Sequence, residues 1–189
     1  MITTIEERLK KIEGLSLKQG AHSPNSTFCV MEAVAFVAGE KWSDNPECCC
    51  PVISAFLRAW NDGLPSDAER DRLLKPLIPK LVGTRNPDLE ALRSLMAADW
   101  LVRTHTPAWL RLAGLTKQAE SLEQLPEIIS MAQIPSIRGP IEAVRSDAAA
   151  AWDAARAAAR AAAWAALKST TEMLQRSALE LVERMIELH

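Results

Sequence analysis

The chain has 189 residues, 48% of them hydrophobic and 24% charged, with a formal net charge of −2. That composition fits a globular protein with a sizeable core and lacks the basic surface that neutralising many phosphates requires, so extended nucleic-acid binding is disfavoured. The longest apolar run, 28–38, contains Glu32 and is too short to span a bilayer, and the opening MITTIEERLKKIEG is no export signal; a cytoplasmic setting with reduced cysteines at 29, 48, 49 and 50 is expected, and no membrane.

Strand signals are nearly absent, whereas helix starts and stops are abundant. The overlapping capping boxes Thr3-x-x-Glu6 and Thr4-x-x-Glu7 predict a first helix striped by Ile5, Leu9 and Ile12 and stopped by Gly14. Residues 15–27 read as a loop. A second helix over 28–38, stopped by Gly39, is apolar nearly all round and belongs at the centre of a core. Pro51 opens a third through Trp60, with Asn61-Asp62-Gly63 as its stop. Ser66-x-x-Glu69 caps a fourth, broken by Pro76 and Pro79; Pro87 opens a fifth running to Arg103, Pro107 a short sixth to Gly114, and 116–124 make a seventh. Residues 126–139, with Pro126, Pro135 and Gly139, read as a linker.

From Pro140 the chain can remain helical to its end. Between 147 and 166 fourteen of twenty residues are alanine, the best helix former, so a long helical arm is expected and 140–168 should be one unbroken helix. Ser169-x-x-Glu172 is a further capping box, and a break there competes with one continuous rod. Beyond it Leu174, Ala178, Leu181, Val182, Met185 and Leu188 form an apolar stripe that needs cover. Either the arm folds back along the N-terminal helices or two arms pair in a homodimer; fold-back is preferred, because a helical domain of this size has surface to receive the stripe.

Four constellations could carry function. Trp152, Arg156, Arg160 and Trp164 recur at steps of four, forming either a self-stabilised cation–π face or a recognition ridge, since Trp and Arg dominate interface hot spots. Glu32 is the one charge on the apolar helix and needs a cation, a metal or a helix N-terminus if it is buried. His22, Cys29 and Cys48 supply nitrogen and sulfur for zinc, with Glu32 or Asp44 as an oxygen ligand, but only Cys48-x-Cys50 approaches ligand spacing, and small buried thiols are the default. Cysteine nucleophile chemistry would need Cys29 or Cys48 beside His22, His105 or His189, which spacing does not supply. Asp99 has Arg103 one turn on as its partner. No phosphate loop, dinucleotide fingerprint or H-E-x-x-H motif is present.

The segment Cys29-Val-Met-Glu-Ala-Val-Ala-Phe-Val-Ala-Gly-Glu40, with Trp42-Ser-Asp-Asn-Pro46, Cys48 and Pro51-Val-Ile53, resembles a family of phage and actinobacterial proteins without an assigned activity. Lys75-Pro-Leu-Ile-Pro79, Asp99-Trp-Leu-Val-Arg103 and Pro107-Ala-Trp-Leu-Arg-Leu-Ala-Gly114 look like the same family, and the alanine-rich tract does so more loosely. The resemblance implies a phage or mobile-element context, hence a host cytoplasm, and brings no functional residue with it. Cys49 and Cys50 depart from the motif, leaving Cys29 and Cys48 as the pair of interest and as expected neighbours.

The reading is therefore an all-α protein: a compact multi-helix domain over 1–125, a linker at 126–139 and a long alanine-rich C-terminal helical arm over 140–189. Binding is expected over catalysis, through a protein partner on the host or a second copy of the chain, with Glu32, Asp44, Trp152, Arg156, Arg160 and Trp164 as candidate contacts and no cofactor. The alternative is a metal-dependent or cysteine-based enzyme or ligand binder centred on residues 22–50, with zinc on His22, Cys29 and Cys48.

Overall fold

The computed structural model describes residues 4–24, 27–155 and 163–188, and the side chains among these except those of 149–155 and 163–166. The fold is all-α, and among the described residues the β signal is a single isolated bridge, Leu17 with Phe28. Contacts divide the chain into two compact units, Met1–Arg93 with Val182–His189, and Ser94–Leu181. This division differs from the boundaries expected at 125 and 139.

In the first unit, α1 (Ile5–Glu13) starts at Thr4, whose hydroxyl accepts the Glu7 N–H while the Glu7 carboxylate accepts the Thr4 N–H, the reciprocal cap its sequence announces. Helix α2 (Val30–Ala38) is the centre: Val30, Met31, Ala33, Val34, Ala35 and Val37 are fully buried. It begins two residues later than expected, because the carbonyl of Phe28 is taken by the Lys18 N–H, which holds Phe28 in the bridge. Gly39 ends it at φ 78°, where a Cβ would stand 2.2 Å from Arg8 Nη1.

Helix α3 (Pro51–Gly63) buries Ile53, Leu57 and Asn61 at steps of four. Asn61 accepts the Val30 N–H through Oδ1 and donates to the Lys18 carbonyl through Nδ2, tying the start of α2 to the loop before it. Arg70 on α4 (Asp67–Leu74), 4% exposed, donates to the Asn61 and Leu64 carbonyls and so caps the end of α3. Pro76 and Pro79 break the fourth helix as expected, α4 ending at Leu74. Each lies in the first turn of a new helical segment, the 3-10 turn Lys75–Leu77 and α5 (Ile78–Leu81), where the missing N–H has no intrahelical acceptor to lose.

Helix α6 (Pro87–Trp100) carries Arg93, 1% exposed, whose guanidinium donates to the carbonyls of Thr84 (2.8 Å), Met185 (2.9 Å) and Leu188 (3.2 Å). The last turn of α10 (Ala163–Glu187) is thus capped by a cation, which also suits the negative end of its dipole.

In the second unit, α6 runs without a break through a π turn, Leu101–His105, into α7 (Thr106–Leu112). Two helices were expected here. Pro107 cannot donate to the Arg103 carbonyl and its ring crowds that oxygen, so the preceding turn widens by a residue and the Thr106 N–H closes on the Leu101 carbonyl. Leu110, α8 (Thr116–Glu123) with Ala119 and Leu122, and Val144 form one core cluster; Leu95, Ile128 and Ile137 form another. The segment 126–139 is therefore packed. Ile128 is 2% exposed and its N–H donates to Asp99 Oδ1, Ser130 and Gln133 make a capping box around the 3-10 turn Met131–Gln133, and α9 (Ile134–Ala155) starts there and passes through Pro140.

The expected single helix over 140–168 is described on both flanks, to Ala155 and from Ala163; residues 156–162 lie outside the described set. Ser169 and Glu172 lie inside α10, so that capping box starts no helix. Of the expected stripe, Leu174, Ala178, Leu181, Val182 and Met185 are buried within the single chain and Leu188 is half-buried.

Candidate functional site

In the first unit, Glu32 is 1% exposed and gathers three donors on two oxygens: the His22 N–H at 2.6 Å on Oε1, and the Cys29 N–H at 2.7 Å and His22 Nδ1 at 2.9 Å on Oε2. Burial raises the carboxyl's pKa, but the two backbone N–H groups and the His22 ring outweigh it, and the net value lies below the ordinary one. Glu32 therefore meets the N-terminus of its own helix and fixes the loop before it. The His22 carbonyl accepts the Trp42 indole N–H at 2.8 Å, and the Trp42 ring lies 4.9 Å from that of Phe28. This corner is a cap that orients one histidine ring, 16% exposed at its side chain.

The thiols serve elsewhere. Cys29 is 3% exposed, and burial together with the Glu32 charge pushes its pKa up to about 12. Cys48 faces a different carboxylate, Glu40, which also accepts the N–H groups of Glu47 and Cys48 (2.6 and 2.7 Å); burial and that charge push this thiol up to about 12 as well. Cys49 is raised by burial. Thiols held protonated are poor nucleophiles. Among the described residues no group of three or more His, Cys, Asp or Glu side chains is placed to hold a metal ion, so the zinc alternative on His22, Cys29 and Cys48 finds no ligand group. Asp44 binds Arg58 through its carbonyl at 2.9 Å, with the carboxylate 3.9 Å from Nε.

The second unit holds an arrangement that sequence reasoning missed. Trp100, His105 and Trp109 meet in series around the π turn, the first pair tilted with ring centroids 5.0 Å apart and the second edge-on at 6.1 Å. The Trp109 indole N–H donates to His105 Nε2 at 3.1 Å, and the Trp100 indole N–H donates to Ser177 Oγ at 2.6 Å. In an α-helix residues five apart do not share a face; the i→i+5 pattern of the π turn is what lays His105 over Trp100. Beside it Trp109 is 40% and Leu101 46% exposed. The available signal is Pro107, which opens α7 as expected but with no gap after α6, so that a π turn takes up the join.

Of the expected contacts, Arg156 and Arg160 lie outside the described residues, as do the side chains of Trp152 and Trp164. No family model matches this chain, nor does any curated protein or solved structure.

Proposed function

We propose that this protein is a protein-binding module and that residues 101–109 of its second unit form the contact face, a host protein being the partner that the phage resemblance directs attention to. The observation that carries the reading is Trp109: a large, part-exposed indole held in one orientation by the bond to His105. A fixed exposed Trp gains desolvation on binding and loses little side-chain entropy, which is why Trp is enriched among hot spots. The same unit also exposes Leu101, Ile129, Met131 and Met173 at 44–69%. The alternative, chemistry centred on residues 22–50, keeps only the Glu32-oriented His22 ring in its support.

Capture from host lysate with the native protein and a Trp109→Ala variant of matched melting temperature tests the proposal. A protein retained in stoichiometric amount by the native chain should be depleted about tenfold or more by the variant, the loss expected for a hot-spot residue. Equal retention by both would overturn it.

A further inference from the structure

We propose that His105 is a proton-operated release for Trp109, so that the docking face is set at neutral pH and loosened in mild acid. The consequence for binding rests on the reading of Trp109 as a contact residue; the chemistry of the release does not. An indole N–H can only donate, so the 3.1 Å bond requires a lone pair on His105 Nε2 and places the hydrogen of the neutral ring on Nδ1. An added proton must go to Nε2. Two donors would then face each other, and one ring has to leave.

The geometry says which. Trp100 is held by its own bond to Ser177, and its ring beside His105 would attract an imidazolium as a cation–π partner. Trp109 is part exposed and has room to turn outward. The charged groups on the elements around the rings are Asp99 and Arg103, paired at 3.1 Å; Arg111 and Glu123, paired at 2.6 Å; Lys117 and Glu120 on α8; and Arg176 and Glu180, which flank Ser177 on α10. None of them is a cause of the ring's displacement from its ordinary pKa of 6.5; burial is, and it lowers the value. The release therefore falls below pH 6.5.

The test is nitrogen–proton NMR of the full chain across about pH 8 to 5, the range in which a histidine changes charge. The Trp109 indole N–H is assigned by its absence in Trp109→Phe. Its resonance should move with the same midpoint as the His105 ring, below pH 6.5, and its exchange with solvent should quicken through that transition. In His105→Gln, whose amide oxygen accepts at every pH, the indole signal should not titrate. An indole signal that stays flat while the His105 ring titrates overturns the proposal, as does an unchanged titration in His105→Gln. Should that variant not fold, coincidence or divergence of the two native midpoints decides alone. No partner enters this measurement, so its failure is separate from a failure of capture at neutral pH.

Discussion

Glu32 stays ionised at 1% exposure because both of its oxygens accept from a backbone N–H, and one of them from the His22 ring as well. Its folded pKa lies below that of an unfolded glutamate, about 4.3. The stabilisation is thus complete above that value and drains away as pH falls towards the folded one. Glu32→Gln should cost about 1–3 kcal/mol at neutral pH by urea unfolding, and the gap to the native chain should narrow at about pH 3. A gap that stays constant would mean that the charge is not what holds the cap. That Glu32 required a partner was legible, since it is the one charge in an apolar helix. That His22 would supply it was not, because nothing periodic marks the loop from 15 to 27.

At the scale of elements, caps were the most readable feature. Thr4, Ser66 and Pro51 each stand where their chemistry places them, and Gly39 closes α2 in the left-handed region. Gly39→Ala should therefore destabilise by about 1–2 kcal/mol, since its clash is with the movable end of Arg8, whereas Gly63→Ala, in helical backbone with nothing within 4 Å, should be neutral or stabilising. Denaturant midpoints of the two variants moving in the same direction would contradict this. Prolines mark element boundaries here: α4 ends at Leu74 before Pro76, a new segment starts at Pro79, and Pro107 lies in the first turn of α7. What was not legible is how closely the next segment follows, by a 3-10 turn and a short helix at Pro76 and Pro79 and by a π turn ahead of Pro107. Buried arginines were not legible at all. Arg93 caps α10 from far away in sequence, and Arg93→Met, which keeps the apolar stem, should cost about 2–4 kcal/mol by leaving buried carbonyls unpaired. A loss under about 0.5 kcal/mol would show that water satisfies them as well.

At the scale of the whole molecule, the all-α class was readable from helical periodicity, and so was the need to cover the stripe from Leu174 to Leu188. The grouping of 182–189 with 1–93, and the packing of 126–139, depend on contacts distant in sequence and left no local trace. Leu181→Glu with Met185→Glu should lower the melting temperature independently of protein concentration, since both side chains are buried within one chain; a fall that tracks dilution would point to pairing of two chains. The claim that the face of 101–109 binds a protein partner is tested most directly by placing a photo-crosslinking residue at position 109, and in a control at position 5, where Ile5 is similarly exposed at 46% in the other unit. Irradiation in the cells that express the protein should yield one discrete heavier adduct from position 109 and none from position 5. No adduct from 109, or the same ladder from both positions, would contradict the account.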